Sequence, residues 1–300
     1  MLKIEKNAGE MVRNFYNQNP FPDFEIAKFN SIDDFLTSAG WFYRVVNLYL
    51  PEGIRIADLG CGTGQFSGLL ASKNREVVGV DFSSASINKA QALKNKFNLQ
   101  NLNFTQADLL SPCFKQNTFD YVFCCGVLHH TGNPYRGFVE LVRITKPNGF
   151  IIIGLYNHFG RIALRFKKLI MRFPSPLRKL IKASMIKRQL SSDDSDPSKI
   201  ESWYADQYQH PHESLHSIKE VLRWFDDNNI EYVNSFPPVE LFKTIKNEKY
   251  DRFQADPFKS NRIGAWSRNN FCYFLKELKW IIDLSGYGGY FLVIGKKRGD

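Results

Sequence analysis

Cysteine is sparse in this 300-residue chain, and its placement is unhelpful to cross-linking. The five cysteines, Cys61, Cys113, Cys124, Cys125 and Cys272, are odd in number and form no C-x-x-C or histidine-spaced pair. A disulfide framework and a zinc site are therefore not indicated. No stretch approaches the roughly 18 apolar residues of a membrane span. The opening MLKIEKNAGEMVRN carries spaced charges where a secretory signal would have an apolar centre, so a cytoplasmic setting is expected. No internal repeat is found. One further absence is local: residues 155–190 contain no Asp or Glu but ten Lys or Arg, as many as the net charge of +10 of the whole chain. The remainder is close to neutral.

What is present is an ordinary globular composition, 43% hydrophobic and 23% charged, with 26 Phe and 13 Tyr to fill a core or line a pocket. Short apolar runs at 54–60, 76–82, 102–110, 119–126 and 149–156 read as strands, with helices at 65–74, 84–97 and 135–146 between them. Strands apolar on both faces and separated by helix-length segments predict a doubly wound α/β sheet covered on both sides. Residues 32–50 read as one helix, and 214–229 as another that leads into a strand at 230–239; a last strand is expected at 289–297.

The stretch ADLGCGTGQF (57–66) puts glycines directly between a strand and a helix. Backbone N–H groups there meet the positive end of a helix, and glycine lets a ligand approach the backbone. The dinucleotide fingerprint G-x-G-x-x-G is not matched, because the third glycine comes one place early, at Gly64, and Gln65 takes its position. Acidic residues end each of the first three strands: Asp58, Asp81 and Asp108. Such a set suits a ligand with ribose, adenine and a cationic amino acid end and no pyrophosphate, which describes S-adenosylmethionine.

Together with VVGVDFS, ADLL, FDYVFCCGVLHHTGNP and RITKPNGFIIIG, this stretch resembles, in order and spacing over about residues 54–156, the class I S-adenosylmethionine-dependent methyltransferases, nearest to the quinone-biosynthesis subgroup. The resemblance implies a Rossmann-like sheet of seven strands whose last strand is antiparallel and lies beside 230–239. It implies a methyltransferase with S-adenosylmethionine as cofactor. The methionine part would lie at Asp58, Gly60, Cys61, Gly62 and Gly64, the ribose at Asp81, and the adenine at Phe82, Asp108 and Leu109. About fifty residues separate the two final strands, where the family usually has a short hairpin, so an insertion near 240–288 is expected. The implied organisation is an N-terminal lid or arm (1–53), the cofactor-binding core (54–156), a basic helical cap (157–213) and the closing part of the core (214–300).

A sulfonium cofactor brings its methyl group already activated, so a protein base is needed only where the acceptor must lose a proton. His130, after the fourth strand, and His210 and His212 in DQYQHPHES are the candidate acceptor-site residues; Asp206 and Glu213 stand near them in sequence. H-x-H alone lacks a third metal ligand, and no metal is expected. In YNQNPFPDF, Phe15, Tyr16, Phe21 and Phe24 suit a lid or an arm on the sheet edge. Two basic amphipathic helices are expected at 159–173 and 176–190. In the first, Ile162, Phe166, Leu169, Ile170 and Phe173 form an apolar face beside a stripe of Arg161, Arg165, Lys168 and Arg172. The segment reads as a solvated cap over the acceptor pocket, as a contact with an anionic membrane that delivers a lipid-linked acceptor, or as a phosphate-binding surface. No RNA-binding module is evident. The expected acceptor is a small or lipid-linked molecule; the alternatives are an RNA methyltransferase and a non-catalytic cofactor-binding module.

Overall fold

The computed structural model describes residues 2–37, 40–111, 114–171, 197–239, 256–259, 270–284 and 288–299. Seven strands form one sheet: β1 (Arg55–Leu59), β2 (Glu76–Asp81), β3 (Leu102–Gln106), β4 (Phe119–Cys125), β5 (Thr145–Tyr156), β6 (Ile230–Phe236) and β7 (Tyr290–Lys297). Their spatial order is β3-β2-β1-β4-β5-β7-β6. β1 to β5 are mutually parallel, while β7 runs antiparallel between β5 and β6. This is the Rossmann-like α/β sheet with an antiparallel last strand that the motif resemblance implied. Order reverses between β1 and β4, and the crevice beyond the carboxyl ends of such strands is where open α/β sheets bind ligands.

Alternation along the central strands builds two cores. Val122, Cys124, Ile151 and Ile153 face one apolar layer, and Phe123 and Ile152 face the other. Period-two side-chain placement explains why residues 122–124 and 151–153 are all apolar: both faces are covered.

The helices are α1 (Leu2–Gln18), α2 (Ile32–Thr37), α3 (Trp41–Tyr49), α4 (Gln65–Ala71), α5 (Ser84–Lys96), α6 (Pro134–Ile144), α7 (Ile162–Met171), α8 (Pro197–Tyr204), α9 (Ile218–Asp227) and α10 (Asn270–Asp283). Side-chain caps set several starts: Ser83 accepts from Ser86 N–H, Asn133 from Arg136 N–H with Pro134 following, and Ser217 from Glu220 N–H.

Three elements differ from expectation. Residues 32–50 are two helices, because Gly40 adopts an extended conformation and begins α3 anew. The third strand stops at Gln106, since Asp108 turns the chain by accepting from Leu110 N–H (2.9 Å). The helix expected from 214 starts at Ile218: Ser214 N–H and His216 N–H are spent on the carbonyls of His129 and Tyr156 (both 2.8 Å), which holds that stretch extended. The first basic helix spans Ile162–Met171; the second, at 176–190, lies outside the described residues, as does most of 240–288.

Candidate active site

A cavity of about 700 Å3 opens at the carboxyl ends of β1, β2 and β4 and runs beneath α1. This volume is that of a small-ligand site, for which about 300–1,000 Å3 is usual. At one end lie Gly60, Gly62, Asp81, Phe82, Asp108 and Leu109. At the other lie Tyr16, His130, Tyr156, Trp203, Asp206 and Gln207.

The glycine loop is bent by positive φ, +77° at Gly60 and +53° at Gly62. A Cβ on Gly62 would stand 2.1 Å from the carbonyl oxygen of Phe21. That close approach belongs to the N-terminal arm: Thr63 N–H donates to Phe21 O (3.3 Å) and its hydroxyl to Pro22 O (2.6 Å). The N-P-F-P segment is thus bonded directly to the glycine loop.

Asp81 is fixed by two backbone donors, Gly62 N–H to Oδ2 (2.9 Å) and Ser83 N–H to Oδ1 (2.8 Å). Each oxygen retains a second lone pair. Burial pushes this carboxyl up, against those same hydrogen bonds. Asp58 and Cys61 are buried beside the loop and are not cavity-lining, and neither is Gly64, which instead caps α4. Asp58 accepts from the Ser67 hydroxyl (2.6 Å), and burial pushes it up to about 7.

At the opposite end, the histidines divide. His130 lines the cavity, and its Nδ1 meets the carbonyl oxygen of His212 (2.9 Å). A carbonyl only accepts, so Nδ1 carries the proton. Burial lowers this imidazole to about 4, so it is neutral near pH 7 and Nε2 is left as the basic lone pair. His210 stacks on it, ring centroids 3.6 Å apart, and is lowered by burial to about 3. His210 Nδ1 accepts from His212 N–H (3.2 Å), while His212 Nε2 donates to Thr131 O (3.1 Å). His210 and His212 therefore support His130 from outside the cavity.

Tyr16 of α1 donates to Asp206 Oδ1 (2.7 Å), tying the arm to the π-helical turn Ala205–Gln209. Gln207 bridges Asp206 (3.0 Å) and the Tyr156 hydroxyl (2.7 Å). Of the arm's aromatics, Tyr16 and Phe21 line the cavity, Phe15 packs its ring on His210, and Phe24 is buried against Phe29 and Phe35. Arg161 leaves the expected surface stripe altogether. It is fully buried, lies 3.5 Å over the Tyr156 ring and pairs with Glu213 (2.5 Å), which Lys168 also approaches (3.5 Å). Trp203, Tyr43 and Tyr290 complete the apolar wall; no motif announced them, and only their aromatic character hinted at pocket lining.

The profile of the methyltransferase-domain family matches residues 50–229. The chain belongs to that family. As a methyltransferase domain of this kind it uses S-adenosylmethionine, and the end of the cavity at Asp81 fits that cofactor: a partly buried carboxylate held by backbone donors, with lone pairs to spare for a ribose diol. An uncharacterized protein of Synechococcus is 27% identical over 238 residues, 71% of this chain and 55% of that protein. A putative methyltransferase of Bacillus subtilis is 33% identical over 37% of this chain and 45% of its own, and a demethylmenaquinone methyltransferase of Renibacterium salmoninarum 27% identical over 40% and 49%. The chain thus spans about half the length of the curated relatives it matches. Among solved structures, PKMT2 of Rickettsia typhi superposes with TM-score 0.60 at 14% identity, over 92% of this chain and 54% of that one. The cyclase SpnF gives 0.51 at 14% identity, over 98% and 95%. These likenesses show the fold alone, and a cyclase among them illustrates that a fold does not name a reaction.

Proposed function

We propose that this methyltransferase domain transfers a methyl group to an ionisable hydroxyl of a small or lipid-linked acceptor, with His130 as general base. The observation that carries the reading is the fixed tautomer of His130: a neutral ring in the cavity wall whose Nδ1 proton is committed to the His212 carbonyl. S-adenosylmethionine, when bound, supplies a methyl group on a sulfonium, so that its carbon–sulfur bond breaks as the new bond to the acceptor oxygen forms. His130 Nε2 takes the acceptor proton and later releases it to water. Positioning does most of the remaining work. Asp81 orients the ribose end, and Tyr156, whose hydroxyl already accepts from Gln207, keeps its own proton to donate to the acceptor. Tyr16 and Phe21 cover the cavity and exclude water.

Calorimetric titration with S-adenosylmethionine tests the cofactor site, with Asp81→Asn expected to weaken binding about tenfold or more through loss of a charge-assisted contact. Turnover of labelled methyl on a panel of phenols, enols, amines and carbon acids tests the acceptor reading. His130→Ala should lower kcat by about 100-fold or more with little change in cofactor affinity. Equal turnover by His130→Ala, or activity confined to amines, sinks the assignment.

A further inference from the structure

Helix α10 is turned inside out. Its inward side buries Lys276 and Glu277 beside Tyr273 and Trp280, and Glu277 accepts from Asn157 Nδ2 (2.7 Å) and Ile218 N–H (2.8 Å). Its outward side carries Phe271, Phe274 and Ile282, which are 63%, 47% and 77% exposed. Positions 271, 274 and 282 fall on one stripe at helical spacing. Helix α7 does the same with Ile162, Phe166 and Leu169, each at least 44% exposed. The ring of Phe159, three residues before α7, meets that of Phe274 at 5.8 Å, which brings the start of α7 beside α10. Scattered exposed apolar side chains need no explanation, but two adjoining helices that both present their apolar stripes to water do.

We propose that this face lies on an anionic lipid surface. The charge around it selects that occupant: Arg165 and Lys167 are exposed on either side of the α7 stripe. An apolar stripe flanked by Lys and Arg is the form of a helix that rests in the headgroup boundary. Among the described residues no helix is long and apolar enough to cross a membrane, so the contact is a peripheral one. Buried Arg161 and the partly buried Lys168 face Glu213 and take no part in it.

The test is sedimentation of the full chain with extruded vesicles of phosphatidylcholine, alone or with about a third phosphatidylglycerol. Neither cofactor nor acceptor is needed, so the result is independent of the methyl-transfer reading. The chain should pellet with the anionic vesicles and much less with the neutral ones. Paired Phe166→Ser and Phe274→Ser should cut that binding at least about tenfold. Paired Arg165→Gln and Lys167→Gln should cut it about 25-fold, each cation being worth roughly a factor of five. All four positions are exposed, and circular dichroism confirms that the variants are folded. Absence of pelleting by folded wild type overturns the proposal, as does pelleting indifferent to both pairs. Light scattering that shows a wild-type dimer and a monomeric Phe166→Ser/Phe274→Ser variant also overturns it, reassigning the face to self-association.

Discussion

Replacing Arg161 with Met would remove a buried cation from behind the cavity wall, where it packs on Tyr156 and bonds Gln207. Arg161 gives Glu213 two bonds (Nε to Oε1, 3.0 Å; Nη2 to Oε2, 2.5 Å), and its Nη1 serves Gln207 Oε1 (2.6 Å) and Gly288 O (2.7 Å). Burial alone would raise the Glu213 carboxyl, but Arg161 and Lys168 outweigh it and hold the group below its ordinary value. Removing one member of a buried pair costs about 3–5 kcal/mol, mostly for the charge left behind. Glu213 retains Lys168 at 3.5 Å and is itself 13% exposed, which places the expected loss at the lower end, about 3 kcal/mol. Replacing both partners, Arg161→Met with Glu213→Leu, should recover about 1–2 kcal/mol of it. What persists is about 1–2 kcal/mol for the unserved oxygens of Gln207 and Gly288. Urea unfolding followed by both circular dichroism and tryptophan fluorescence measures each variant. A depressed folded pKa stabilises above the unfolded value, so the advantage of wild type over the double variant should fade as pH drops through 4.5. A single variant within 1 kcal/mol of wild type, or a double variant worse than the single, refutes the reasoning.

Gly62→Ala places a methyl 2.1 Å from Phe21 O at a φ of +53°, so the arm must move; cofactor affinity should fall about tenfold or more, read by calorimetry. An NMR titration should find His130 protonating near 4, and kcat/KM should be level from about pH 6 to 8, because burial removes the usual histidine limb; an inflection near 6.5 contradicts the neutral-base assignment. The same shift has a stability sign: His130 binds its proton only when unfolded between about 4 and 6.5, so it withdraws stability as pH falls across that window. Asp58, raised to about 7, acts the other way, and Asp58→Asn should therefore steepen the acid loss in thermal unfolding. Tyr16→Phe releases the arm from Asp206 and should raise amide exchange along α1 severalfold with the sheet unaffected.

The sheet was legible because its information is local. Continuous apolar strands, glycines at the first turn and acids at three strand ends are written in consecutive residues, and they led to the fold, the cofactor and a carboxylate, Asp81, that lines the cavity. Asp58, Cys61 and Gly64 occupy the same motif yet do not line this cavity, because a motif specifies chain position and not which way a side chain leaves the turn. His130 was separable from His210 and His212 only once the His212 carbonyl was seen to claim its Nδ1.

By itself, then, the sequence determined the sheet, the glycine turn and the cofactor end, where each residue's role depends on neighbours within a few positions. Tertiary structure decided the opposite end and what lies behind it, where Tyr16 meets Asp206 across 190 positions and Arg161 meets Glu213 across 52. Helical periodicity found the apolar stripe of α7 and a basic one beside it, and left open which of them faces water. Contacts from other elements decided that: Arg161 is drawn inward by Glu213, and Phe166 is left facing water. Amphipathic spacing shows that a helix has two faces, and only packing decides which one is buried.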